Sequence, residues 1–299
     1  MLLAGIMAAA QDTLTVTLTG DLLLDRGVRK KIERDGVDAL FNSGIDSVFA
    51  SSHIVIANLE CPATRIHAPV QKIFIFRGEP EWLAPLRRHG ITHLNLANNH
   101  SIDQGRKGLI DTQDNIRRAG ITPIGAGRNM QEAAQPVLLA TQPRPVYIIA
   151  SNRLTLENYA YLPQLPCVSQ ENMDSLLLRV ASLRRSQPSA YIIVSLHWGI
   201  EHTLSPYHGQ RKVAHDIIDA GADILVCHHT HTFQTVETYQ NKPIYYSLGN
   251  FIFDQSKPLN ARAAIVQLQI TATAATARTL PIVIRDCVPM LSETQPQTD

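Results

Sequence analysis

The chain has 299 residues, 44% of them hydrophobic, with 27 Lys and Arg against 26 Asp and Glu, a formal net charge of +1. That balance excludes a broad electrostatic footprint for nucleic acid, and no stretch reaches the ~18 continuous apolar residues needed to span a bilayer. Cys61, Cys167, Cys227 and Cys287 are too scattered for a disulfide framework or a structural zinc site, and they suit a reducing compartment.

The opening MLLAGIMAAAQD is apolar and ends in small residues, but it has no basic region, so cytoplasmic location is expected over export. Residues 14–19 (LTVTLT) alternate β-branched and apolar positions as a strand does and run into Gly20-Asp21. A second strand, 53–57, ends at Asn58-Leu59-Glu60. A helix over 80–89 stops at Gly90, and strand 91–97 leads to Asn98-Asn99-His100. Helices follow over 106–119, closed by Gly120, and over 172–185. Strand 190–196 ends at His197, and helix 208–220 stops at Gly221. Strand 222–226 then meets Cys227-His228-His229-Thr230-His231.

Residues 235–239 and 243–247 flank a turn at 240–242 and read as a hairpin ending at Leu248-Gly249-Asn250. Two further strands, 262–271 and 279–286, have no helix between them. Alternating strands and helices predict an α/β protein, antiparallel toward its C-terminal edge. No linker composition divides it, so one domain over 1–299 is expected, with a core at 14–288 and a polar tail at 289–299.

The strand ends carry the chemistry. In open α/β sheets ligands bind beyond the carboxyl ends of the strands, where residues distant in sequence converge. Asp21, Glu60, Asn99, His197, His229 and His231 would bring carboxylate, amide and imidazole to one rim. Singly, Asp21 could serve a turn, Glu60 a local backbone donor and Asn99 a helix cap. Together they form a nitrogen and oxygen set without thiolate, which favours one or two divalent ions of Mn, Fe or Zn over Ca or Mg. His53 and His93, inside strands, read as packed or solvent-facing histidines; His208 and His215 read as exposed on a helix; Cys227 reads as a small buried thiol.

Several segments together resemble the CapA family of poly-γ-glutamate capsule biosynthesis proteins. They are 20–26 (GDLLLDR), 57–60 (ANLE), 95–105 (NLANNHSIDQG), 197–201 (HWGIE), the histidine cluster with Thr232-Phe233-Gln234, and 247–254 (SLGNFIFD). That family is similar to calcineurin-like metallophosphoesterases. The resemblance implies a four-layer α/β/β/α sandwich of two mixed sheets with a dinuclear metal centre. It implies Asp21 and His231 on a first metal, Glu60 in the bridging position, and Asn99, His197 and His229 on a second. His100 would donate a proton to the leaving group, with Asp103 and Arg26 in the catalytic set, and Arg26 and Asn250 would line a pocket for an anionic substrate.

The chain departs from the pattern at Leu23, where the phosphoesterases carry a metal-binding histidine, and at Cys227 and Thr230, which replace a glycine and a proline. The expected activity is metal-dependent hydrolysis of a phosphoester or a γ-glutamyl-type amide by activated water. The expected partner is a small-molecule or γ-glutamyl anionic substrate. The alternatives are an accessory protein that binds poly-γ-glutamate and an amide-forming tailoring enzyme.

Overall fold

A computed structural model of the chain describes residues 12–156, 159–255 and 257–293. In chain order the first half forms β1 (Leu14–Leu22), α1 (Arg26–Asp35), α2 (Ser43–Ala50), β2 (Ile54–Leu59), α3 (Leu83–Arg88), β3 (His93–Asn95), α4 (Gly105–Arg118), β4 (Thr122–Ile124), β5 (Ala126–Gly127), α5 (Met130–Ala133), β6 (Val137–Ala140) and β7 (Val146–Asn152). The second half forms β8 (Cys167–Val168), α6 (Met173–Ser186), β9 (Tyr191–His197), α7 (His208–Asp219), β10 (Ile224–His228), β11 (Val236–Tyr239), β12 (Lys242–Tyr245), β13 (Asn250–Ile252), α8 (Pro258–Ala261), β14 (Arg262–Ile270), β15 (Ala275–Arg285) and β16 (Val288–Leu291).

Two mixed sheets result. One runs β16-β15-β14-β1-β2-β3-β4, with β13 also paired to β1; the other runs β11-β12-β10-β9-β7-β6. Strand alternation explains why they stack. Leu14, Val16, Leu18, Ile54 and Ile56 of the first sheet share a core with Val146, Ile148, Ile193, Ile224 and Val226 of the second. The intervening positions face helices: Val55, Ala57 and Leu59 pack in one cluster with Val28, Ile45, Phe49 and Leu86. Ile192, Val194, Leu225 and Cys227 pack with Leu176, Val180, Ala214 and Ile217. The layers are therefore α/β/β/α, as the family resemblance implies. Each buried aliphatic side chain contributes roughly 1.5–3 kcal/mol, so all three interfaces contribute substantially to the stability of the stack.

Four differences from the sequence reading have physical causes. The hairpin β11–β12 and the strands β14–β16 do not continue one sheet; the chain crosses between sheets through β13. Helix α1 escapes a periodicity reading because its sequence, RGVRKKIERD, buries only Val28, Lys31 and Ile32. The predicted helix over 80–89 divides into a tight 3₁₀ turn, Pro80–Trp82, and the short α3. The tail expected from 289 begins later, because β16 pairs with β15 as far as Leu291.

His53 is solvent-facing at the entry to β2, where its Nδ1 accepts a hydrogen bond from the Thr15 N–H at 2.9 Å. His215 is not simply exposed; it stacks on Tyr239 at 3.9 Å and meets Glu237 at 2.6 Å. Among the described residues no helix is long and apolar enough to cross a membrane. The apolar N-terminal stretch, residues 1–11, lies outside the described residues, as does 294–299.

Candidate metal centre

The carboxyl ends of both sheets open on the same rim. In the first sheet Asp21 stands opposite Asn58 of β2 and Asn250 of β13, all running parallel. The crossing of β1 and β13 demands glycine: a Cβ on Gly20 would lie 2.0 Å from the Gly249 carbonyl oxygen. In the second sheet His197 at the end of β9 pairs with His228 at the end of β10. Beyond β10 the chain turns sharply, with His229 at φ 96° and His231 at φ 55°. Such left-handed backbone is uncommon for non-glycine residues and is a recurrent feature of ligand sites.

These turns bring the strand-end groups together. One oxygen of each of Asp21 and Glu60 and one nitrogen of His197 all lie within 4.8 Å of one another, in buried positions. His197 Nε2 is 2.9 Å from Asn99 Oδ1 and 3.2 Å from Glu60 Oε1. On the other side, His231 Nδ1 is 3.3 Å from Asp21 Oδ2 and His228 Nδ1 is 3.3 Å from Asp21 Oδ1. The His229 ring lies between, with its centroid 4.9 Å from that of His197 and 6.2 Å from that of His231. All six sequence-predicted metal ligands therefore meet at one rim.

The electrostatics fit a cation. Glu60 Oε2 is buried without a partner, and Asp21 Oδ2 and His228 Nδ1 have only the long 3.3 Å contacts between Asp21 and the two rings, which is costly for ionisable groups unless something else satisfies them. Burial and the neighbouring Asp21 carboxylate push Glu60 well above the usual carboxylate range. Burial also opposes ionisation of Asp21, yet His228 and His231 outweigh it and hold Asp21 well below its ordinary value. His197 is driven well down by burial, and His229 is lowered to about 3 by burial and by His231, so both rings are neutral and able to ligate. His231 is raised to about 9: burial opposes its charge, but Asp21 and Glu60 prevail. The two carboxyl groups, the neutral rings of His197 and His229, and His231 once a bound cation displaces its proton form a suitable donor set for transition-metal dications.

His100 sits beside this cluster in a second, connected group. Its Nδ1 lies 2.9 Å from Asp103 Oδ2, which leaves Nε2 as the free ring nitrogen. Lys72 reaches in from an irregular segment; its Nζ is 2.6 Å from Asp103 Oδ1 and donates to the Asn99 carbonyl at 3.0 Å. Phe76 covers the ring at 4.4 Å, and the Arg26 guanidinium lies 5.9 Å from the Phe76 centroid. Arg26 is anchored by Asp254 at 3.1 Å and stays partly open to solvent.

Asn250 departs from its expected substrate-facing role. It is fully buried; its Oδ1 is 2.9 Å from His231 Nδ1, and its Nδ2 donates to Gln255 and Asn260. With both ends of the amide engaged, Asn250 orients His231. Leu23, where an imidazole is missing, is buried in the helix-facing core. His228, to which the sequence reading gave no role, brings an imidazole to Asp21 instead.

Sequence reasoning also missed Asn58 and Asn98. Asn58 Nδ2 donates to Asp21 Oδ1 at 2.8 Å and to Glu60 Oε1 at 2.9 Å, tying the two carboxylates together. Asn98 donates to Asn58 Oδ1 and accepts from the backbone N–H groups of His100 and Ser101, which shapes the turn that presents Asn99 and His100. The signal was their place at strand ends, but amides there also read as ordinary turn residues.

The model of the family described as bacterial capsule synthesis protein PGA_cap matches residues 15–255. The PGA biosynthesis protein CapA of Bacillus subtilis (strain 168) is 28% identical over 264 residues, covering 87% of this chain and 69% of its own length. The capsule biosynthesis protein CapA of Bacillus anthracis is 29% identical over 265 residues, again covering 87% of this chain, but 64% of its own. The chain thus spans about two thirds of the length of these curated relatives. Among solved structures, the NAD nucleotidase NadN of Haemophilus influenzae superposes with a TM-score of 0.53 at 11% identity, covering 91% of this chain and 56% of that one. That likeness establishes a metallophosphatase-type fold.

Proposed function

The chain belongs to the bacterial capsule synthesis family PGA_cap, and from that premise we propose that it is a metal-dependent hydrolase of a γ-glutamyl-type amide. The observation that carries this reading is the convergence of Asp21, Glu60 and His197 in a buried cluster that leaves Glu60 Oε2 unpaired and Asp21 Oδ2 with only a long contact to His231. A purely structural network would pair those atoms. The amide class is supported by the relatives, whose names tie them to PGA and capsule biosynthesis.

Asp21, His231 and His228 would hold one divalent ion; Glu60, His197, His229 and Asn99 would hold a second. When bound, such ions polarise a substrate oxygen and acidify a water molecule. Asn58 fixes the two carboxylates, and Asn250 fixes His231. His100, tethered through Nδ1 to Asp103, handles a proton at Nε2 and passes it to the departing nitrogen. Arg26, at the rim, is placed to meet an anionic group.

The test is elemental analysis of the purified protein together with assays on γ-glutamyl amides and p-nitrophenyl phosphoesters, with and without added Mn²⁺. Bound metal and metal-dependent amide cleavage are expected. His197→Ala should lose the metal; His100→Ala should keep it and lose turnover. Cleavage of phosphoesters alone would replace the amide reading. Tight poly-γ-glutamate binding with no turnover on either class would replace the hydrolase with an accessory protein.

A further inference from the structure

Beside the metal centre, at the carboxyl end of β7, lies a separate cavity of about 370 Å³ lined by Asn152, Arg153, Thr155, Tyr161, Gln170 and Asn172, among others. It is one strand away from the centre. Asn152 stands opposite His197 in the β7–β9 register, and the Arg153 N–H donates to the His197 carbonyl at 2.9 Å. The cavity therefore adjoins the strand end that carries His197.

The cavity carries a cation, Arg153, whose one neighbouring carboxylate among the lining residues, Glu171, acts on it without forming an ion pair. Arg153 is half-buried, and its guanidinium donates through Nη1 to the Glu171 backbone carbonyl at 2.5 Å. The Glu171 carboxylate is already committed: Arg179 binds both of its oxygens at 2.8 Å. Among the described residues no carboxylate forms an ion pair with Arg153, so the remaining guanidinium N–H groups have capacity for an acceptor. Asn172, on the cavity wall, is the N-cap of the 14-residue α6, and that helix end adds partial positive charge to the same space. The Asn152 amide is turned to the backbone rather than to the guanidinium: its Oδ1 accepts from the Leu154 N–H at 3.3 Å, and its Nδ2, like Nε2 of Gln170, donates to the Leu154 carbonyl.

We propose that this cavity is an anion subsite in which Arg153 binds a carboxylate of the substrate next to the bond presented to the metal centre. The inference rests on the hydrolase reading for its geometry, since the subsite matters only if substrate lies at His197. A planar guanidinium matches a carboxylate in a two-point fork, and partial burial keeps such a pair from being screened away. A phosphoryl oxygen shares this chemistry, so the probes must tell the two apart.

The test is calorimetric titration of the full chain with a trimer of γ-linked glutamate, the corresponding γ-aminobutyrate trimer, which lacks the α-carboxylates, and inorganic phosphate. Wild-type protein should bind the glutamate trimer about tenfold or more tighter than the γ-aminobutyrate trimer. Arg153→Met should abolish that preference, and Arg153→Lys should keep part of it. Equal binding of the two trimers by wild-type protein, a comparison that needs no variant to fold, would overturn the proposal. So would an unchanged preference in Arg153→Met, or displacement of the glutamate trimer by an equal concentration of phosphate. Binding is read without turnover: Arg153-dependent binding in a protein that cleaves nothing removes the hydrolase and leaves the subsite, whereas cleavage with Arg153-independent binding does the reverse.

Discussion

The Lys72 ammonium lies 2.6 Å from Asp103 Oδ1, while the other Asp103 oxygen faces His100 Nδ1 at 2.9 Å. One carboxylate thus joins a lysine from an irregular segment to the histidine proposed to move the proton. Both the Lys72 side chain, 5% exposed, and Asp103 are shielded from water. Removing one partner from such a pair leaves a buried charge without compensation, at a cost of roughly 3–5 kcal/mol. Lys72→Met should therefore lower the free energy of urea unfolding by an amount in that range. It should also reduce kcat on whichever substrate the enzyme cleaves, with little change in KM, because Asp103 would no longer hold His100 in a single orientation. Metal content should not change, and Lys72→Arg should recover part of kcat. A variant with reduced metal and unaltered kcat per bound metal would exclude this role for Lys72.

Asn58 offers a different test, because it touches both carboxylates without being a ligand itself. Its amide nitrogen spans Asp21 Oδ1 and Glu60 Oε1. Groups that orient metal ligands typically account for about 10–100-fold in affinity. Asn58→Leu keeps the volume and removes the donor, so metal retention against a chelator should weaken by about that factor. Retention equal to wild type would mean that the carboxylates are held in place by their strands alone.

The sequence exposed most of the centre because its ligands stand at the ends of alternating strands, where chain direction forces convergence. Asp21 after Leu14–Thr19 and His197 after an apolar run are legible for that reason. Lys72 is not, since it sits in a stretch without regular periodicity and finds its partners only after the fold is complete. Asn250 shows the opposite error: its position was right and its role was not, because which groups saturate an amide is decided by neighbours from other elements. In the scaffold, β4 is three residues long, too short for alternation to register, and α1 buries too narrow a stripe. Strand β7 is an apolar run, and its end borders the proposed subsite.

His93 gives the fold a pH dependence outside the metal centre. Burial, with Arg87 adding to it, lowers its pKa from 6.5 to about 4. Below about pH 6.5 the unfolded chain takes up a proton that the folded protein refuses until about pH 4. The contribution is therefore complete above the unfolded value and is lost as pH falls through that window. The slope is at most about 1.4 kcal/mol per pH unit, reduced by residual solvent contact. Urea unfolding at about pH 7 and about pH 5 should show the loss, and His93→Asn should flatten that part of the curve. Identical slopes in the two proteins would remove His93 as the source.

Gly20 and Gly36 make a paired test of how the two strands that cross under the centre are held. At Gly20 an added Cβ would meet the Gly249 carbonyl oxygen at 2.0 Å, so Gly20→Ala must push β13 away from β1. That movement breaks the hydrogen bond from Asp21 N–H to the Gly249 carbonyl, 3.0 Å long, and drags Asn250 from its place behind His231. At Gly36 the backbone is left-handed, at φ 84°, but nothing lies within 4 Å of the added atom. Gly36→Ala should cost only the backbone strain, about 1–2 kcal/mol, with metal binding intact. Gly20→Ala should exceed it, at roughly 3 kcal/mol or more, and should also weaken metal retention. Because stability and metal are read separately, equal losses in the two variants, or a destabilised Gly20→Ala with wild-type metal retention, would show that the β1–β13 crossing does not position the centre.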